Sequence, residues 1–593
     1  MNSRNWQNNR REFVKLVGSG MAAVYLTGCV SALKKADKKG ANSYDSEYLR
    51  ERGPFHRDFP GIQSEPSDFS GDQPSRPHHV LWDKKSFIAS QTHLVKGQLP
   101  PPEEKVEVVV VGGGMSGLIS TYFLRDKNIV LLEQASRLGG NAKGESWNGI
   151  DYSIGAAYTD IPEPDSPIAQ LWKELGIDHK YRIWKGADPL YIGEKLYPDC
   201  WKEGTLPGTQ KQFVRLGQLF EDVLNSRNGY TYPEIPAISA EDRKKVNELD
   251  QISIRAFLEK QIGEPLLPEV EEYIEHYFWT ASAGSASEIS AAAGLNFFAG
   301  DFDKIAVFPG GNAAIAEALV EKLAEKLMRG EGSAQGNLDQ RLRTSSLVFD
   351  VKTDSEGVLV SYLDPNEQIR TIRARTAILA CPKFVVAKLM DELEPERLAA
   401  IHSLKYRAYL VANALVDQDV RELFYDAFFM KSNPGNLGKS IQERAHHQKV
   451  TDAVLGSYAQ RNPDSHSYWT ESKKGSSVLT LSRSMPYDGG RAEIYQKSAY
   501  EQYRKEFEDQ LVHEILPQLG IREKSLKGLR LTRWGHPLPL SAVGNIASGK
   551  VDWLRKPFEG KVFFAEQDNW TLPCFETAFH EALTWTTEVR KLL

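Results

Sequence analysis

Hydrophobic and polar residues alternate on several different periods along this chain. Residues 106–111 and 129–132 are short runs of β-branched and aliphatic side chains, apolar on both faces, the pattern of strands buried in a parallel sheet. Residues 115–125 between them read as a helix. Further on, Ile315, Leu319, Leu323 and Leu327 form one helical stripe that stops near Gly330. Residues 345–364 read as a hairpin with Ser355, Glu356 and Gly357 in its turn, followed by a strand ending at Pro382. Residues 30–104 have little periodicity and are rich in Lys, Asp, Ser and Pro. They read as a polar tether and extended arm, with Trp82 and Phe87 as its apolar anchors.

The first strand runs into GGGMSG. Gly112, Gly114 and Gly117 complete a G-x-G-x-x-G spacing between a strand and a helix, and Glu133 closes the second strand. This is the context a dinucleotide fingerprint needs. Gly112 makes the tight turn, Gly114 lets the backbone approach a pyrophosphate, and Gly117 lets the helix pack on the strand. Met115 and Ser116 then offer free N–H groups at the positive end of the helix. Glu133 is placed to accept from ribose hydroxyls.

The stretch EQASRLGGNAKG extends this motif. Through Glu133, Arg137, Gly139 and Gly140 it resembles the flavin-containing amine oxidase superfamily, which includes protoporphyrinogen oxidases and phytoene desaturases. The resemblance covers residues 105–593 in family order. It implies FAD as cofactor, held by Gly112, Gly114, Met115, Ser116, Gly117, Glu133, Gln134, Arg137, Gly139 and Gly140. Gly155 and Ala156 match the family's segment beside the flavin ring, and Val348 matches its adenine-side valine. Asp568 matches the acid that bonds the ribityl chain, and Phe575 and Glu576 match the start of the helix that points at the flavin. The chain departs from the family at Asn141, where arginine is usual, with Lys143 two residues on, and at Thr577 and Ala582, where glycine is frequent. Many amine oxidases of the family hold a water near the flavin with a lysine. Here Val411 falls near that place and Lys405 lies too early. Trp534 and His536 are the candidate catalytic residues lining the flavin face.

The implied fold is α/β. An FAD-binding Rossmann-like, doubly wound domain over 105–158, 306–390 and 530–593 is interleaved with an α+β substrate domain over 159–305 and 391–529. The expected reaction is hydride removal from a small-molecule amine, with oxygen or another acceptor taking up the electrons. Three alternatives stay open: desaturation or dehydrogenation of an apolar non-amine, a flavoprotein electron-transfer role, and a nicotinamide-dependent dehydrogenase.

Composition narrows this only slightly. A net charge of −6 over 593 residues gives no nucleic-acid footprint. Four cysteines and no zinc-type spacing exclude a disulfide scaffold and predict no metal. Residues 16–28 are too short an apolar run to span a bilayer, which takes roughly 20 residues. Preceded by charge, they read as a targeting segment. Arg10 and Arg11 resemble a twin-arginine signal, and residues 26–29 resemble a lipoprotein box ending at Cys29. Residues 1–29 are therefore expected to direct export to the periplasm and lipid anchoring through Cys29. That route suits a protein that folds around a cofactor before it leaves the cytoplasm.

Overall fold

The computed structural model describes residues 43–57, 68–91, 94, 98–185, 188–192, 195–206, 210–302, 304–328, 338–420, 424–430, 450–461 and 475–593. The twin-arginine pair, Cys29 and the helix stop at Gly330 lie outside them.

Two sheets organise the chain. The first is centred on Ile369–Leu379, which pairs in parallel with Glu104–Val111 along one edge. Its other edge is shared. The first half pairs antiparallel with Gly357–Leu363, and Ala377–Leu379 pair in parallel with Val562–Phe564. Ile129–Leu132 and Leu342–Arg343 continue the parallel side beyond Glu104–Val111. The helices Met115–Phe123, Ala313–Met328 and Phe575–Leu592 cover one face. This is a mixed α/β, Rossmann-like unit. Its strands are apolar throughout because both faces are covered: Val108, Val109 and Val110 have no exposed surface. The hairpin turns at Ser355 and Glu356, between Leu347–Asp354 and Gly357–Leu363. Ile315, Leu319 and Leu323 are buried on the stripe of their helix.

The second sheet has eight strands, in the order Lys195–Tyr197, Leu190–Ile192, Asp426–Met430, Asp452–Leu455, Ser477–Met485, Tyr406–Val416, Leu526–Pro539 and Ser70–Gly71. One face packs Leu410, Ala412 and Ala414 against Tyr500, Tyr503 and Phe507 of the Ala499–Gln510 helix. The other face looks toward the first sheet across a cavity. A helical layer that includes Gln210–Leu224, Ile254–Ile262, Pro268–Ser282 and Ala291–Asp301 walls the cavity's far side.

Three boundaries differ from the sequence reading. The substrate sheet extends through Pro539, because Leu526–Pro539 pairs along its length with Tyr406–Val416, so 530–539 does not belong to the nucleotide unit. Residues 391–404 pack the other way: Leu393, Ala400, Ile401 and Leu404 join the apolar core beneath the first sheet. The described part of the expected tether is built into the fold. Ser43–Arg52 is a helix, Phe55–His56 pairs with Gly144–Glu145, and Ser70–Gly71 caps the substrate sheet. Phe55 is the physical reason, since its ring fills a notch made by two glycines. A β-carbon on Gly144 or Gly310 would stand 2.5 or 2.2 Å from that ring. Phe87 anchors as expected, edge-on to Phe349 at 5.7 Å, but Trp82 is 79% exposed and anchors nothing.

Among the described residues, no helix is long and apolar enough to cross a membrane.

Candidate functional site

A cavity of about 1520 Å3 lies between the two sheets and reaches from the glycine turn to the helical layer. It exceeds the roughly 300–1,000 Å3 of an ordinary small-ligand pocket, so it has room for a cofactor and a second molecule.

At one end is a phosphate cradle. Gly112 has φ +112° and lies so close to Ala380 that an added β-carbon would stand 2.6 Å from its carbonyl oxygen. A β-carbon on Gly117 would fall 1.9 Å from the Gly112 oxygen, so the helix can approach the turn only as glycine. Gly114 is different. Its nearest neighbour across an added β-carbon is Gly140 at 3.7 Å, so its bareness leaves room beside the backbone rather than relieving a clash. No side chain caps the Met115–Phe123 helix, which leaves its first N–H groups open toward the cavity wall formed by Gly114, Met115 and Ser116. Gly139 and Gly140, both at positive φ, fold back onto this turn. The Gly139 N–H donates to the Gly113 oxygen at 2.8 Å. Bare backbone, an uncapped helix start and a glycine pair fit a dinucleotide pyrophosphate.

Glu133 is nearly buried. One oxygen accepts from the Gly113 N–H at 2.6 Å and the other from the Ala135 N–H at 2.7 Å. It therefore fixes the two loops and still presents lone pairs to the cavity, next to Gln134 and Val348. Arg137 departs from expectation. Its guanidinium donates to the carbonyls of Arg50, Gly53 and Phe55, clasping the N-terminal arm. It holds the arm that frames the cradle and is not free to serve as a phosphate ligand. Lys143 lines the cavity between the charges of Glu133 and Asp72, and burial lowers its pKa. It is the cation nearest the place where the resemblance puts an arginine.

Mid-cavity, Gly155 and Ala156 face Trp534. The Trp534 indole is 4% exposed and donates to the Ile154 oxygen at 2.7 Å. Val411 packs in the same apolar group as Ile154 and Trp534 and lines the cavity, while Lys405 is absent from its wall. His536 stacks on Phe384 at 4.2 Å. Burial, with Arg491 and His78 nearby, pushes its pKa down to about 3, so it is neutral near pH 7 and has no proton to lend.

Beside the cradle, Asp568 is 1% exposed. Its Oδ2 accepts from the Lys383 N–H at 2.9 Å and from the Tyr406 hydroxyl. Glu566 accepts from the Asp568 N–H at 2.6 Å and pairs with the Lys383 ammonium at 2.8 Å. Burial raises both carboxyls; Asp568 raises Glu566 further, while Lys383 opposes the rise in both and the Tyr406 hydroxyl opposes it in Asp568. The single acid expected here is a Glu566–Lys383–Asp568 cluster. Gln567, half-buried on the wall, donates to the Pro537 oxygen at 2.9 Å. Phe575 and Glu576 line the cavity at the start of the last helix, but Glu576 is occupied. It accepts from the Thr159 hydroxyl and from the Asp160 N–H at 3.1 Å.

The far end carries what the sequence reading missed. Asp188, Asp301, Asp426 and Asp452 all line the cavity there. Asp426 and Asp452 share one face of the substrate sheet, because Asp426 sits opposite Val454 and Asp452 opposite Phe428. The Asp301 carboxylate accepts from Tyr158 at 3.1 Å and Tyr277 at 2.5 Å. Asp452 Oδ1 accepts from Thr451 and Thr280. Asp188 Oδ1, Asp426 Oδ1 and Asp452 Oδ2 are buried without a hydrogen-bond partner; the Trp184 indole lies beside Asp188 without completing one. Burial first, and then mutual repulsion for Asp188 and Asp426, pushes these acids up: Asp188 to about 8, Asp301 and Asp452 to about 6, and Asp426 well above the usual range. Each is a lone acid in or beside an apolar stretch (ADPLYI, NFFAGD, DAFFM, VTDAVL), and that is the signal that could have found them.

Comparisons with known proteins agree with this architecture. Residues 110–175 match the NAD(P)-binding Rossmann-like domain. The chain is 22% identical over 540 residues to the oxidoreductase PigB of a Serratia species, covering 83% of this chain and 76% of that one. Among solved structures it resembles a putrescine oxidase with putrescine bound (TM-score 0.56, 15% identity, 82% of this chain and 99% of that one). It also resembles the cyclohexylamine oxidase of Brevibacterium oxydans (TM-score 0.57, 16% identity, 82% and 99%). The chain has the two-domain α/β fold of these amine oxidases.

Proposed function

We propose that this chain is an FAD-dependent oxidoreductase that oxidises a small-molecule amine. One observation carries the reading: a single cavity joins a dinucleotide cradle to a wall of carboxylates that have no cationic partner among the described residues. When bound, FAD supplies a two-electron acceptor for the hydride on a carbon next to nitrogen; oxygen or another acceptor then takes those electrons.

The chain's own residues do the rest. Gly112, Gly114, Gly139, Gly140 and the uncapped helix start hold the pyrophosphate. Glu133, Gln134 and Val348 surround the adenosine side, and Asp568 with Gln567 faces the ribityl side. Gly155, Ala156, Val411 and Trp534 shape a dry slot for the reacting carbon, which strengthens every electrostatic contact in it. The carboxylates attract the ammonium form of the substrate and hold it in the cavity. His536 stays neutral and packs.

Val411 in the slot favours a second reading, desaturation of a non-amine, and the acidic wall opposes it. Export through Arg10 and Arg11, with lipid on Cys29, completes the proposal. It predicts that Arg10→Lys with Arg11→Lys keeps the protein in the cytoplasm and that Cys29→Ser releases it from the membrane fraction.

The test is a visible spectrum of the purified protein lacking residues 1–29, repeated anaerobically with a panel of amines. Oxidised-flavin bands that bleach with an amine support the reading. Bands that persist with every amine shift it to the second reading, and folded protein without flavin overturns both.

A further inference from the structure

We propose that Asp188, Asp426 and Asp452 receive the distal ammonium groups of a linear polyamine whose reacting carbon lies beside Val411 and Trp534. This deepens the amine-oxidation reading and rests on it.

Unpaired charge is the first argument. Asp452 is fully buried, lines the cavity, and leaves Oδ2 without a partner among the described residues; Asp188 and Asp426 are half-buried, each with a buried Oδ1 that also lacks one. A buried carboxylate without a counter-charge is costly, and a ligand bringing cations would repay that cost. The leading charges felt by Asp188 and Asp426 are other carboxylates.

Spread is the second argument. Among the described residues, no three Asp, Glu, His or Cys side chains converge closely enough to hold one metal ion. The acids are strung along the wall, so the matching cation is extended and carries more than one charge.

Length is the third argument. Val411 pairs with Ser482, and Ser482 with Asp452. With strands about 4.8 Å apart, Val411 to Asp452 is roughly 10 Å and the next strand, with Asp426, roughly 14 Å. A saturated chain reaches roughly 3.5 Å per three bonds, so roughly nine bonds separate the reacting nitrogen from one held at Asp452. A short diamine falls short of the wall, and the far terminal nitrogen of a triamine such as spermidine, about nine bonds from the reacting one, reaches it.

The surroundings suit alkylammonium groups. The Tyr425 ring lies against Tyr158 at 6.0 Å and Tyr458 at 5.6 Å, and Tyr158 and Tyr425 both line this end of the cavity. Such rings attract cations through their faces and pack the methylenes between them.

The experiment uses the flavin-loaded protein, with spermidine and n-octylamine as chains of similar reach. We expect anaerobic flavin reduction by both, with a KM for spermidine about tenfold or more below that for n-octylamine. Asp426→Asn and Asp452→Asn, two isosteric variants so that one folding failure does not end the test, are each expected to raise the spermidine KM by about tenfold while kcat changes by less than about threefold. Calorimetric titration of spermidine into the wild-type and variant proteins reads the wall without turnover. Equal KM values for the two amines, or variants that bind spermidine as wild type does, overturn the polyamine proposal and leave amine oxidation standing. Spermidine binding that depends on Asp452, with no reduction by any amine, keeps the wall and overturns the oxidation reading.

Discussion

Glu566 and Asp568 at the cradle end share the ammonium of Lys383, the N–H of Lys383 and the hydroxyl of Tyr406, whereas at the far end Asp188 and Asp426 face chiefly other carboxylates and Asp452 is left with one oxygen unpartnered. Both groups are buried and both are pushed toward protonation. The first is closed by the chain's own donors, so it is part of the fold and positions the segment after the last strand. The second is left open on the cavity, which is how a protein holds a place for charge arriving from outside. The difference shows that burial and raised pKa alone do not mark a substrate site; the missing partner does.

The sharpest way to break this contrast is to remove the partner where one exists. Lys383→Met leaves two carboxyls packed against each other with no cation and is expected to cost about 3–5 kcal/mol of stability, read by thermal unfolding of the loaded protein. Adding Glu566→Gln should restore a large part of it. A Lys383→Met protein as stable as wild type would mean that the cradle-end acids are no better paired than the wall.

The wall should answer in the opposite sense, and pH reveals it. Asp188 is raised to about 8, and Asp301 and Asp452 to about 6, from 3.8. A carboxyl raised in the folded state contributes stability that is complete below pH 4 and is lost as pH climbs through 6 to 8, because unfolding then releases a charge the fold had suppressed. Without a cationic ligand, stability should therefore fall between pH 5 and pH 9. Asp188→Asn should gain roughly 2 kcal/mol on wild type across that interval. Denaturant unfolding at the two pH values checks it, and parallel curves would remove Asp188 from the open set. Asp301 faces the same space and titrates in the same interval, while burial keeps Tyr158, Tyr277 and Tyr425 neutral there, so the comparison between variant and wild type is the quantity to read.

The two ends also differed in how far the sequence disclosed them. The cradle is a local device. Gly112, Gly114, Gly117, Glu133 and Gly139 lie within 28 residues, and the clashes that require glycine at 117 and 139 are with Gly112 and Ala142; only Gly112 answers to a distant residue, Ala380. The strands at 106–111 and 129–132 announced themselves because both faces are covered. The wall is assembled from a loop at 188, the end of a helix at 301 and two strands at 426 and 452. No spacing rule relates those positions, and only the register of the eight-stranded sheet brings them together. The arm failed for another reason. Phe55 is a single aromatic in polar surroundings, and what makes it an anchor is the absence of side chains at Gly144 and Gly310, far along the chain.

Arg137 sits between these cases: its motif was legible and its partners were not. Arg137→Ala removes donors from three arm carbonyls and is expected to cost about 2 kcal/mol and to open residues 43–57 to limited proteolysis, with FAD affinity changed less than about threefold. A loss of affinity of tenfold or more, with the arm still protected, would return Arg137 to the cofactor.

The smallest expected effect concerns His536, and it bears on where the proton chemistry resides. Its ring stacks on Phe384, lies 6.1 Å from Tyr406, and is held neutral by burial and by Arg491, with its pKa near 3. A group that is neutral throughout pH 5–9 cannot shape a rate profile there. The acids at the wall can, since their pKa values of about 6 and about 8 lie inside that interval. His536→Phe, which keeps the stacking, should leave both inflections of kcat/KM against pH in place, with a change in rate of less than about threefold. Asp188→Asn should abolish or displace the upper inflection. The reverse outcome, with an inflection lost in His536→Phe and none moved in Asp188→Asn, would place the titrating group mid-cavity and leave the wall to binding alone.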